Sequence, residues 1–347
     1  MKKLKQTLEE PFVMPSGWLV SIEVGSGKNA TELSWWFTDK MAWVKQGVQR
    51  VAFIIAGDDT FFIFRSVKGL LFGELDFSKF DRTQGVHALS FEMRMLMMLG
   101  VPREVVVQLY AATVSPAVYE EKTLDFRAKI SMPVQRATGG PDTTIGNTIN
   151  NAATLLMFFY NHQSPNMADL PTFQSEFGFE SKYRESSSFC GVTFLKGSWF
   201  PCGEDYAWFP LPSQAIKLGK VLTNPCDVFK ADAPSVAWRK MALALAKGVG
   251  EIPVSYPILG DLMSLYRRMG DESLVVLREN QNRPIVEGMV SHANLDVEFC
   301  YEFLFIRYGI LKEEVEALQV TLQQDVLNFP VLLPSNPLWP KLWADYE

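Results

Sequence analysis

Residues 50–65 read RVAFIIAGDDTFFIFR, two apolar, β-rich runs on either side of a Gly-Asp-Asp. Runs of this composition are strands, and Gly57 between them supplies the turn, so the stretch is a β-hairpin with Asp58 and Asp59 at its tip. Residues 70–81, LLFGELDFSKFD, continue as a third strand with Asp76 near its end and Asp81 five residues later. Only a few residues around Lys68 and Gly69 join the second strand to the third, which puts all three in one antiparallel sheet. Such a sheet draws Asp58, Asp59 and Asp76 together. Alone, a Gly-Asp-Asp is an ordinary acidic turn. Adjacent aspartates at a hairpin tip between apolar strands, however, are costly to hold without a cation. With Asp76 from the neighbouring strand they form a carboxylate set able to clamp two Mg²⁺ ions about 3.5–4 Å apart for in-line phosphoryl transfer.

Further along, residues 83–102 (TQGVHALSFEMRMLMMLGVP) place apolar side chains at helical spacing and end in Gly-Val-Pro, a helix lying against the sheet. Its methionines serve as core or as a binding surface. Residues 122–140 alternate as a strand in their first half and end in a Thr-Gly-Gly loop, and residues 142–162 have the period of a long helix. On that helix Thr143, Asn147 and Asn151 fall at i, i+4 and i+8, one face. Residues 189–201 (FCGVTFLKGSWFP) read as a tight hairpin, and beyond Asp232 four amphipathic stretches separated by Gly and Pro predict helices. An α+β portion is thus expected before an all-α one.

The whole chain has 347 residues, 48% hydrophobic and 21% charged, which excludes disorder for most of it and suits two or three domains. The uncharged stretch 145–168 is broken by asparagines and His162, so no membrane-spanning helix is expected, and the N-terminus turns acidic too early for a signal peptide. A cytosolic protein is expected. Four cysteines without paired short spacing signal neither a zinc cluster nor a disulfide framework and read as reduced and mostly buried. His87, His162 and His292 stand apart from the acidic motifs and read as structural. With a net charge of −6, the chain is no basic glove for nucleic acid. Any positive field for such a ligand is local or comes from another chain.

These motifs together resemble the palm of viral RNA-dependent RNA polymerases. LDFSKFD is similar to the first palm motif, an Asp, four residues and a second Asp. TGGPDTTIGN resembles the second, Ser/Thr-Gly, three residues, Thr, three residues, Asn, with Thr138 in place of the commoner Ser. AGDD between apolar strands resembles the third, FGFESKYRESSSF (residues 177–189) the fourth and FLKG (residues 194–197) the fifth. The Gly-Asp-Asp here precedes the other motifs instead of following the Thr/Asn helix, an order that resembles the permuted palm of permutotetravirus and birnavirus polymerases. The fold implied is α+β, a right-hand palm with an antiparallel sheet packed on helices and a mainly helical thumb. Residues 1–50 would be an N-terminal extension or fingers remnant, 51–231 the palm and 232–347 the thumb.

The resemblance implies roles. Asp58 and Asp76 would be the main ligands of Mg²⁺ or Mn²⁺, with Asp59 weaker. Asp81 and Asn147 would read the ribose 2′-hydroxyl, supported by Thr143 one turn earlier. Thr138, Gly139 and Gly140 would form the loop that approaches the template–nucleotide pair. Lys182 is either the general acid for the pyrophosphate leaving group or a solvated surface lysine. Lys196 grips the primer phosphate or sits on a plain β-turn. Arg136 touches phosphate or caps the strand. The ligands implied are an RNA template and primer and nucleoside triphosphates, in the host cytoplasm. No recognisable basic strand for an incoming triphosphate precedes the hairpin, so a second protein supplying the fingers is expected. The aromatic stretch Trp35, Trp36, Phe37 and Trp43 is its docking face or core. A nucleotide cyclase on a related fold would have no need of TGGPDTTIGN or FLKG. The reading from another class is a catalytically silent palm kept as an RNA-binding or assembly subunit.

Overall fold

A computed structural model of the chain describes residues 1–67, 69–114, 117–122, 127–132, 134, 136, 142–219, 232–270, 294–324 and 336–343. The chain divides into two compact units, Met1–Ser26 with Trp43–Ser187, and Gly27–Ala42 with Ser188–Glu347. In chain order the elements up to the end of the first unit are α1 (Lys2–Thr7), β1 (Phe12–Val13), β2 (Leu19–Val24), α2 (Ala30–Lys45), β3 (Arg50–Ala56), β4 (Asp59–Ser66), β5 (Gly69–Phe77), α3 (Phe80–Thr83), α4 (Val86–Met98), α5 (Arg103–Val114), β6 (Ala117–Lys122), β7 (Arg127–Met132), α6 (Thr143–Asn161), α7 (Leu170–Ser175) and β8 (Ser181–Ser186).

The first unit is built on one six-stranded sheet, order β1-β2-β3-β4-β5-β8. Its centre is the expected three-strand meander β3-β4-β5, antiparallel throughout. Two neighbours were not legible from the sequence. On one side β2 runs parallel to β3, and on the other β8 pairs antiparallel with β5. A parallel pair cannot be closed by a tight turn, and the chain between β2 and β3 carries α2 as the crossover. β6 and β7 form a separate two-stranded antiparallel sheet.

At the hairpin Ala56 faces Asp59 in register, so the loop is Gly57 and Asp58 alone. Of these two only Gly57 takes a positive φ (+67°), the arrangement of a type II′ turn, whose first loop position favours glycine. Alternation sends Val51, Phe53 and Ile55 of β3 and Phe62 and Phe64 of β4 to one face. There they pack on Ile149, Leu155, Phe158 and Phe159 of α6 and on Met93 and Leu96 of α4. The α4 methionines divide accordingly: Met93 is buried in this core, whereas Met97 and Met98 are exposed.

In the second unit β9 (Gly197–Cys202) and β10 (Asp205–Pro210) form an antiparallel hairpin. The Trp199 indole N–H donates to the Leu33 carbonyl at 2.9 Å, and Phe37 stacks on Trp199 with ring centroids 4.8 Å apart. Trp36 and Phe37 are therefore core, while Trp35 stays 67% exposed. Trp43, in the first unit, lies under the Arg50 guanidinium. The hairpin expected over residues 189–201 is a single bridge, Phe194 to Gly197, because β9 takes β10 as its ladder partner. Four helices follow as predicted, Pro234–Val249, Leu259–Met269, Val297–Tyr308 and Lys312–Gln324. Cys190, Cys202 and Cys300 are free and buried; Cys226 and His292 lie outside the described residues. Among the described residues no helix is long and apolar enough to cross a membrane.

Gly73 of β5 sits opposite Phe62, and the Phe62 ring lies over it, stacked on Tyr183 of β8. A Cβ at Gly73 would meet Phe62 Cζ at 2.2 Å and the Arg184 carbonyl at 2.8 Å. Gly73→Ala is therefore expected to lower stability by about 1–3 kcal/mol through overpacking, read as a shift of the urea midpoint. An unchanged midpoint would mean that the ring moves aside at no cost.

Candidate active site

The registers of β4, β5 and β8 line up three charged residues across the sheet: Asp59 is the Cα partner of Asp76, and Asp76 of Lys182. Directly opposed residues on antiparallel strands share a face, with Cβ atoms about 4.5–5.5 Å apart. Asp59 and Asp76 are thus a like-charged pair with the Lys182 ammonium next in the row. Asp58, in the turn, is half-buried. Burial pushes its carboxyl pKa above the ordinary 3.8, its own backbone N–H opposes that, and the charges of Asp76 and Asp81 raise it further. Asp58 therefore feels the charges of both Asp76 and Asp81 at one end of the sheet. Among the described residues no three His, Cys, Asp or Glu side chains stand close enough together to hold a metal ion. The donor chemistry nevertheless fits a divalent cation, since converging carboxylates whose mutual repulsion favours a proton are relieved as well by a hard metal ion.

Asp81 reaches this place because the chain reverses after β5. Lys79 takes a left-handed conformation (φ +52°) and α3 follows, carrying Asp81 in its first turn. There the Asn147 side-chain amide donates to Asp81 Oδ1 at 2.9 Å. The two residues expected to read a ribose hydroxyl are thus hydrogen-bonded to each other. Thr143 opens α6 one turn before Asn147. Thr138, Gly139 and Gly140 lie outside the described residues.

α6 also holds the acidic turn itself. The Gly57 N–H donates to Thr148 Oγ1 at 3.1 Å, and the Asn151 amide donates to the Gly57 carbonyl at 3.1 Å and to Thr60 Oγ1 at 2.8 Å. Both backbone groups of Gly57 are satisfied by one helix, which pins the hairpin tip against α6.

Sequence reasoning missed a buried polar chain behind Asn147. Gln84 and Glu92 are fully buried and Arg136 is 2% exposed. The Arg136 guanidinium donates through Nε to Gln84 Oε1 at 2.8 Å, through Nη1 to Asp142 Oδ2 at 3.0 Å, and through Nη2 to Glu92 Oε2. Gln84 in turn donates to Asn147 Oδ1 at 2.6 Å. Burial pulls the Arg136 pKa down, while Asp142 and Asp81 hold it up. The phosphate contact expected of Arg136 is not what the structure shows, since every face of its guanidinium is turned to protein. The one signal available was Glu92, an acidic residue in a largely apolar helical run that also carries Arg94.

Lys182 is exposed on β8. Lys196 belongs to the second unit, exposed at the apex of the 194–197 turn, where Leu195 (φ +53°) and Lys196 (φ +56°) both adopt the left-handed conformation without a glycine. Non-glycine residues pay for that conformation, and such strain collects at functional turns. His162 is structural as expected, its Nδ1 within 2.7 Å of the Phe158 carbonyl.

Residues 58–170, which span the carboxylates, the buried chain and α6, match a family model described as RNA dependent RNA polymerase. The chain is also similar to the replicase polyprotein 1ab of Beet yellows virus (isolate Ukraine), 30% identical over 177 residues. That alignment takes in 45% of this chain and 5% of the polyprotein, so the chain spans a small fraction of that relative's length.

Two outcomes follow from the electrostatics. Folding raises the Asp58 pKa, so the favourable contribution of its protonated form is complete below the unfolded value of 3.8 and is lost as pH rises through the higher folded value. Asp58→Asn removes that loss, and is expected to be more stable than wild type at pH 7, with a flatter dependence of the urea midpoint between pH 4 and 7. Glu92→Ala leaves the Arg136 cation buried without one of its partners. It is expected to cost about 3–5 kcal/mol in the same measurement.

Proposed function

We propose that the chain is the palm and thumb of a viral RNA-dependent RNA polymerase that transfers nucleotides to an RNA 3′-hydroxyl with two Mg²⁺ or Mn²⁺ ions. The observation that carries this reading is the meeting of Asp58, Asp76 and Asp81 at a hairpin tip, with Asn147 hydrogen-bonded to Asp81. In this reading residues 51–231 are the palm, 232–347 the thumb and 1–50 a fingers remnant, acting in the host cytoplasm. The connectivity supports a permuted palm, since the acidic hairpin β3–β4 runs straight into β5 and α6 comes after both.

Each side chain then has a task. Asp58 and Asp76 offer the carboxylates that hold metal, with Asp59, register partner of Asp76, a weaker ligand. When bound, the ions lower the pKa of the primer 3′-hydroxyl, hold the triphosphate and offset charge on the leaving group. Lys182, next to Asp76 across β5 and β8, hands a proton to the departing pyrophosphate. Asp81 accepts the ribose 2′-hydroxyl proton while Asn147 donates to its oxygen, a pair of bonds that a deoxyribonucleotide cannot make. By resemblance Thr138, Gly139 and Gly140 form the loop beside the nascent pair, Thr143 supports Asn147, and Lys196 holds primer phosphate. Arg136 positions other side chains and does not touch phosphate. The net charge of −6 supports fingers carried by a basic partner chain, because an acidic protein alone does not offset an RNA duplex and a triphosphate.

The purified chain is to be assayed on a primed RNA template at low salt with Mg²⁺ or Mn²⁺, alone and with proteins of the same virus. Metal-dependent incorporation is expected, falling to background in Asp76→Ala while the fold persists. Wild-type turnover in Asp76→Ala would overturn the metal assignment. Processive synthesis by the chain alone would remove the need for a fingers partner, and no incorporation in any combination would leave a catalytically silent palm that binds RNA or assembles a replication complex.

A further inference from the structure

The side-chain amide of an asparagine offers an acceptor at one end and two donors at the other, and a ribose reader works only in one orientation. The structure contains a device that sets it. Arginine has no acceptor, so the bond from Arg136 Nε to Gln84 at 2.8 Å can only end on the Gln84 carbonyl oxygen. The Asn150 amide donates to that same oxygen at 3.2 Å. The Gln84 nitrogen must then face Asn147, where it donates to Oδ1 at 2.6 Å. With its oxygen occupied, Asn147 has only its nitrogen left for Asp81, and the bond at 2.9 Å runs that way.

We infer that Gln84, oriented by the buried Arg136–Glu92 pair, is a positioning residue that dictates the direction of the Asn147 amide and through it the preference for ribonucleotides. The inference rests on the reading of Asp81 and Asn147 as the ribose readers. Directionality enters at both ends, from the donor-only Arg136 and the acceptor-only Asp81 carboxylate, and Gln84 is the link that holds the Asn147 oxygen in the matching sense. Once the chain is satisfied, Asn147 keeps one unused N–H and Asp81 keeps acceptor capacity, the complement of a hydroxyl that both donates and accepts. A buried ion pair is a poor source of stability compared with an apolar filling of the same space, so geometry is the more economical reason for placing one here. Gly146 belongs to the same device. A Cβ on it would meet Arg136 Nη2 at 2.3 Å and Glu92 Oε2 at 2.5 Å, so a glycine on α6 makes room for the pair.

The test uses Gln84→Met, which fills the same volume without a donor, and Gln84→Glu at pH 8, which still accepts from Arg136 but repels Asn147 Oδ1. Gly146→Ala, which displaces the pair without touching Gln84, is the milder third variant. Two readouts are taken on the full-length chain: the Asn147–Asp81 separation in a crystal structure, and the ratio of ribonucleotide to deoxyribonucleotide incorporation. The 2.9 Å contact is expected to open beyond 3.5 Å in the Gln84 variants. The ratio is expected to fall at least tenfold, through a higher KM for the ribonucleotide with the deoxyribonucleotide KM unmoved, and to fall less in Gly146→Ala. A contact that stays closed in these variants overturns the positioning role, whatever the ratio does. A contact that opens while the ratio holds supports the positioning role and overturns the assignment of Asp81 and Asn147. If wild type incorporates nothing, alone or with proteins of the same virus, the polymerase reading fails and the crystallographic separation alone decides the positioning role.

Discussion

The polar face of α6 has nowhere to go but inward. Asn147, Thr148, Asn150, Asn151 and Thr154 are all buried, and each must find partners inside the protein or cost about 1–3 kcal/mol for an unmet group. Asn147, Thr148, Asn150 and Asn151 find them in the parts that the site is made from, the Gly57 backbone, Asp81, Gln84 and Thr60, while Thr154 donates to the Asn151 carbonyl and accepts from Gln174. A sheet packed on a helix through apolar contacts alone can slide by a residue or a fraction of a turn. Hydrogen bonds with fixed donors and acceptors cannot, so this layer of amides and hydroxyls sets the height of the acidic turn relative to the helix that follows it.

The rest of the site inherits that constraint. The apolar face of the sheet, Phe53, Phe62 and Phe64 against Phe158 and Phe159, provides burial but little direction. Direction comes at the hairpin end, where the type II′ turn lifts Asp58 out of the ladder and register places Asp59 beside Asp76. Repulsion among these carboxylates is a stability cost accepted at one edge, and the pinned turn keeps it from being relieved by movement. The Arg136–Glu92 pair makes a parallel case. It is expensive to bury, and what it contributes is orientation, passed through Gln84 to Asn147.

Much of this was legible in the sequence because the signals were local. β3, β4 and β5 announce themselves by alternation and by the short connections between them, and α6 by its period. Asp81 and Asn147 were singled out by two motifs whose spacing survives in this chain, and the structure adds the hydrogen bond between them. Less was legible wherever a residue's fate depended on something far away. β8 carries charges on both sides and reads as a mixed segment until its place beside β5 is known. β2 joins the sheet in parallel through a crossover, which no turn signal marks. Trp35, Trp36 and Phe37 are three consecutive aromatics, and only the helix phase separates the exposed ring from the two in the core.

The sequence by itself therefore determined the acidic hairpin, the third strand, the Thr/Asn helix and the residue types from which the chemistry is made, since each rests on periodicity and on neighbours within a few positions. The tertiary structure decided which of those residues face one another. Arg136 lies more than forty positions beyond Gln84 and Glu92, and the three look like a strand-end cation, a turn residue and a helix charge. They become one hydrogen-bonded chain only when α4, α6 and Arg136 come together in the interior, where each donor has to be matched by an acceptor. That requirement acts between distant segments, and no local pattern of residues encodes it.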